Sequence, residues 1–164
     1  MNKINRLLMV VILSMFCFSC ASNNNNQIAN PWIIVDSIKE ASTMTNFDFI
    51  VPEEINGNKE SLVQVMNDEL IEVRYGEDII IRKARGNEDI SGDYNSYDVV
   101  KEEAISYVAP NATCDTPEKI TLTLKGNDDT FNLITWTYFD YSYSISSDDG
   151  LSLDVILDIV SSIV

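Results

Sequence analysis

The chain has no histidine, few basic residues and no pair of cysteines that survives in the mature domain. Without histidine the commonest general base and the commonest transition-metal ligand are missing. A Ser-His-Asp triad, a Cys-His dyad and a histidine zinc site are therefore excluded by composition. Of the cysteines, Cys17 falls in a leading export signal, Cys20 is lipidated or lost at its end, and Cys114 is left alone, so the mature domain forms no internal disulfide. Lysine and arginine number 11 against 26 acids, for a net charge of −15. Lys3 and Arg6 lie in the signal, and losing those two positive charges leaves −17. Nucleic acid and anionic lipid head groups repel such a chain, so neither is an expected partner. The acids are spread along the sequence, which reads as a solvated surface.

What is present begins with that signal. Lys3 and Arg6 precede an apolar run from Leu7 to Phe18, and Ser19-Cys20-Ala21 forms a small-residue exit. The run is short for a permanent span. A cysteine closing it, followed by a polar asparagine run at Asn23–Asn26, favours lipoprotein maturation with Cys20 as the lipidated terminus. Ordinary cleavage and secretion is the alternative. The expected organisation is residues 1–19 as a lipoprotein-type signal peptide, 20–29 as a polar tether and 30–164 as one domain. Such a protein is extracytoplasmic and held at the membrane by its N-terminal lipid, and a monomer is expected.

Within the domain, alternation of apolar and polar residues predicts strands. Ile120–Leu124, Phe131–Tyr138 and Tyr141–Ser146 form one antiparallel meander with short links. A second runs through Ser61–Asn67, Glu69–Tyr75 and Ile79–Ala84, in which Ile71, Val73 and Tyr75 are the expected buried face. Phe47–Val51 alternates as a further strand ending at Pro52, and Val99–Tyr107 is another candidate. A short helix is predicted near Asp36–Thr45, where Ser37-Ile-Lys-Glu40 has capping-box spacing. A closing helix is predicted from Ser152, with Leu153, Ile156, Leu157, Val160 and Ile163 on one stripe. The expected fold class is α+β: an antiparallel meander sheet with a short N-terminal helix and a C-terminal helix on one face.

Two stretches carry chemistry. Asn87–Asp98 has the oxygen-ligand spacing of a calcium loop, with Asp89, Ser91, Asp93 and Asn95 as candidate metal ligands around Gly92. The competing reading is a turn in which Asp89, Ser91 and Asp93 bond their own backbone and Arg82, Lys83 or Arg85 neutralise the acids. Calcium is the one cofactor considered. Trp136, Tyr141 and Tyr143 are close in sequence and could form an aromatic ligand-binding strip across neighbouring strands, or fill the core. The expected function is a binding or interaction module without enzymatic activity, its partner an envelope protein, peptide or glycan. The alternative is a carboxylate-based hydrolase acting on cell-envelope material, for which no catalytic residue is singled out.

Taken together, several stretches resemble a clostridial-type family of secreted and membrane-tethered proteins defined as a domain of unknown function. They are Asp36–Ala41 with Phe47–Pro52, Ile79–Lys83 leading into the acidic Gly86–Asn95, Thr123–Asn127, Trp136, Tyr141–Ile145 and Gly150–Ser152. The resemblance covers nearly the whole domain after the tether. The chain departs from the family pattern near Ile55–Lys59 and at Ala104–Glu118, which reads as an insertion. The resemblance implies an extracytoplasmic α+β domain displayed from a membrane anchor and supplies no catalytic residues.

Overall fold

The computed structural model describes residues 30–107, 118–127 and 129–163. The export signal, Cys20, the whole tether, Cys114 and most of the expected insertion lie outside the described residues. Chain order is β1 (Trp32–Val35), α1 (Ile38–Thr45), β2 (Glu54–Ile55), β3 (Asn58–Met66), β4 (Leu70–Tyr75), β5 (Ile79–Arg85), β6 (Val99–Tyr107), β7 (Glu118–Asn127), β8 (Thr130–Tyr138), β9 (Tyr141–Leu151) and α2 (Leu153–Ser162). The class is α+β, as the periodicities predict.

The strands form one nine-stranded antiparallel sheet in the order β1-β3-β4-β5-β9-β8-β7-β6, with β2 paired to β3. Two meanders, β3-β4-β5 and β6 to β9, meet where β5 pairs with β9. That junction has a geometric consequence. Strand β6 follows β5 in sequence yet stands at the far edge, beyond β9, β8 and β7. Residues 86–98 must therefore cross the sheet to connect them.

Apolar residues at alternate positions give one face its core: Val63, Val65, Ile71, Val73, Ile81, Leu122, Leu124, Ile134 and Ile145 are all buried there. Ala41 of α1 and Ile156, Ile159 and Val160 of α2 join the same cluster. Both helices are capped as their sequences dictate. Ser37 Oγ accepts from Glu40 N at 3.2 Å while Glu40 Oε2 accepts from Asp36 N at 3.0 Å, and Ser152 caps α2.

Two expectations are corrected. Phe47–Val51 forms no strand, although Phe47 and Phe49 are buried. Side chains rather than a ladder bond the backbone here: Lys83 Nζ donates to Asp48 O and Arg85 Nη2 to Asn46 O, just before the segment, each at 2.6 Å. Strand β4 buries both faces rather than one, because Leu70 and Glu72 are as enclosed as Ile71 and Val73. The crossover explains this, since it covers part of the face opposite the helices.

Candidate functional site

The face away from the helices is built on a single cross-strand row. The register aligns Glu102, Thr123, Thr135, Ser144, Arg82, Glu72, Gln64 and Ile34 across eight strands. Glu72 is the centre of its buried part and is fully enclosed. Its Oε1 accepts from Gln64 Nε2 and Arg74 Nε, both at 2.6 Å, and its Oε2 accepts from Arg82 Nε at 2.7 Å. A buried carboxylate is tolerable only with such partners. No described buried side-chain polar atom is left unsatisfied.

Arg82 carries this network up into the crossover. Its Nη1 donates to Ile90 O at 3.1 Å and also to Ser91 O, and its guanidinium lies over the Trp32 ring at 5.7 Å. Gly92 passes directly above with φ +64°, where an added Cβ would sit 2.9 Å from Arg82 Nη1, so glycine is required for both space and conformation. The segment is tied at its start by Gly86 N donating to Asp140 O at 2.7 Å and by Ser142 Oγ donating to Gly86 O at 3.0 Å.

The candidate calcium ligands lie along this crossover, and the side chains of Asp89, Ser91 and Asp93 are engaged with its own backbone. Asp89 Oδ1 accepts from Ser91 N at 2.9 Å, Ser91 Oγ from Asp93 N at 3.2 Å and Asp93 Oδ1 from Asn95 N at 2.7 Å. These are three successive side-chain-to-backbone turns, each spanning two residues. The remaining Asp93 oxygen accepts from the Tyr97 hydroxyl. Burial and this bond to Asp93 raise the Tyr97 phenol above its ordinary value. Among the described residues no group of three or more Cys, Asp or Glu is placed to hold a metal ion.

Trp136, Tyr141 and Tyr143 do not form an exposed strip. They point to the core face, where Trp136 and Tyr143 are buried and stack with centroids 5.0 Å apart and planes within 4°. Tyr141 is half-buried beside Phe47. The register sets this face, pairing Lys83 with Tyr143 and Tyr143 with Trp136, and the two tyrosines help to enclose the lysine. Lys83 is 4% exposed, and its Nζ lies 4.5 Å from the centroid of Tyr141, 5.4 Å from Tyr143, 5.5 Å from Phe47 and 5.8 Å from Phe49. The rings supply attraction to a cation that water cannot reach. Burial, partly countered by Asp48 and reinforced by Arg85, still brings the amine down to about 8.

An accessible concavity lies beside the crossover on the hydroxyl half of the row. It is a groove of about 280 Å³, floored by Thr121, Thr123, Thr135, Thr137 and Ser142, walled by Asn87, Glu88, Asp89 and Ile90, and also lined by Trp136 and Tyr143, two of the candidate aromatic residues. Adjacent strands place these hydroxyls about 4.8 Å apart, and alternate residues along a strand about 6.8 Å apart. Partial desolvation raises the Asp89 carboxyl. Hydrogen bonds from Ser91 and the charge of Lys125 outweigh it and hold the group below its ordinary value. Asp89 is thus an ionised acceptor at neutral pH, the opposite of what a general acid requires. The Thr-x-Thr pairs at 121–123 and 135–137 are the sequence signal for this floor. No family model matches the chain, and neither curated proteins nor solved structures provide a match. The family resemblance rests on the stretches quoted above.

Proposed function

We propose that the protein is an extracytoplasmic binding module, tethered to the membrane through a lipid on Cys20, whose contact surface is the hydroxyl-floored groove beside the crossover. The observation that carries this reading is the anchoring of the groove's wall: Arg82, itself fixed by buried Glu72, holds the Ile90 and Ser91 carbonyls from beneath. A preformed polar cleft loses little entropy on binding. Its chemistry selects the ligand. Hydroxyls, one amide, two acids, Ile90 and the aromatic residues Trp136 and Tyr143 line it, so a neutral or cationic hydroxyl-rich molecule fits and an anion is repelled. An envelope glycan is the ligand class that matches, because sugar hydroxyls both donate and accept at comparable spacing.

The arrangement of the acids supports binding over hydrolysis. Glu88 and Asp89 are neighbours on one wall, both exposed, and a hydrolase needs two carboxylates facing each other across the scissile bond. Titration of the labelled protein with neutral N-acetylglucosamine oligomers, followed by amide chemical shifts, tests the reading. Shifts should concentrate at Thr123, Thr135 and Asn87 and vanish in a Thr123→Val plus Thr135→Val variant, which keeps shape and removes hydroxyls. Undiminished binding in that variant sinks the proposal.

A further inference from the structure

The two edges of the sheet are guarded very differently. Strand β6, on one edge, carries Lys101, Glu102 and Glu103, with Lys101 Nζ and Glu103 Oε2 paired at 2.8 Å. Charges of this kind prevent an edge from pairing with another chain. Strand β1, on the other edge, is Trp32-Ile-Ile-Val35, with no charge, no proline and no bulge. Among the described residues it pairs with β3 alone. Ile34 is 69% exposed and Ile33 49% exposed, one on each side of the sheet. An uncharged edge with aliphatic residues open on both faces is a template for an added strand.

We infer that β1 accepts an extended segment of another protein, apolar at alternate positions and flanked by basic residues. Main-chain hydrogen bonds along Ile33–Val35 supply the pairing, while Ile33 and Ile34 offer cross-strand packing. The flanks set the charge. Asp36 and Glu40 lie at the Val35 end, with Lys39 as the cation among them, and Asp68 and Glu69 follow Met66, the partner of Trp32, at the other end. Each end is net acidic, so lysine or arginine just outside the paired residues is attracted at both. A second copy of this chain is disfavoured by the same charges. Antiparallel pairing of two β1 strands would bring Asp36 of one copy toward Asp68 and Glu69 of the other, on molecules each already at −15.

The full-length chain in detergent is titrated against a fluorescent peptide of alternating valine and threonine with two lysines at each end, and against the same core with glutamates. The lysine peptide should bind saturably, the glutamate peptide about tenfold more weakly or worse. Ile34→Lys should abolish binding, and Asp68→Asn plus Glu69→Gln should weaken it several-fold. Val100→Lys, on the opposite edge, should leave it unchanged. Equal affinity for both peptides, or full binding by Ile34→Lys, overturns the inference. Self-association that Ile34→Lys removes, without peptide binding, overturns it in favour of a second copy.

Discussion

Lys83 should make the stability of this domain rise in mildly alkaline solution, against the usual trend. The amine is 4% exposed, and its pKa is lowered from 10.5 to about 8, so the folded chain releases this proton before the unfolded chain does. Between those values the unfolded state binds more protons, and stability increases with pH. The linkage relation gives a gain of about 2 kcal/mol between about pH 7 and about pH 9.5. Urea unfolding followed by Trp32 and Trp136 fluorescence should show the midpoint moving up by about 1 M over that interval. In Lys83→Met, which keeps the volume inside the ring of Phe47, Phe49, Tyr141 and Tyr143, the rise should disappear. Tyr75 acts in the opposite sense only at higher pH. Burial and Glu60 push its phenol up, so it keeps its proton where unfolded tyrosine loses one, and stability falls above about pH 10. A wild-type midpoint that is flat or falling to pH 9.5, or a rise that persists in Lys83→Met, would refute the reasoning.

Four further outcomes are expected. Glu72→Ala leaves Arg82 and Gln64 without their shared acceptor and should lower unfolding free energy by about 3–5 kcal/mol, near the lower figure because Arg74 can turn to water; a denaturation midpoint within error of wild type would count against a buried network. Gly92→Ala forces a side chain into φ +64° against Arg82 and should cost about 1–2 kcal/mol, with faster hydrogen exchange confined to residues 86–98 if the crossover alone loosens. Calorimetric titration with millimolar calcium should give no saturable heat, because Asp89, Ser91 and Asp93 already serve backbone amides; heat that is lost in Asp89→Ala plus Asp93→Ala would establish a metal site instead. Labelled palmitate should enter the wild type and not Cys20→Ala, and equal labelling of both would remove the lipid anchor from the proposal.

The sequence by itself determined the elements whose cause is local. Alternation in Phe131–Tyr138 and the helical stripe of Leu153–Ile163 each express which face is buried, and the Ser37–Glu40 and Ser152 caps express unsatisfied amides that a nearby side chain must meet. These signals need only a few residues of chain, so they survive without knowledge of the rest. Tertiary structure alone decided what lies between elements. Pairing of β5 with β9 made residues 86–98 a crossover, which buried Glu72 on a face that β4's pattern leaves to solvent. It also drew Lys83 under Tyr141 and Tyr143 and left Trp136 and Tyr143 buried rather than in an exposed strip. The floor of the groove is assembled from β7, β8 and β9, and each threonine reads alone as an ordinary solvent-facing strand residue. Strand β1 escaped the pattern altogether, because four apolar residues carry no period and only the place beside β3 makes them an edge. The row from Glu102 to Ile34 depends on the registers of eight strands, which fix together only when the helices bury the opposite face, since a slip of one residue would turn every apolar side chain outward.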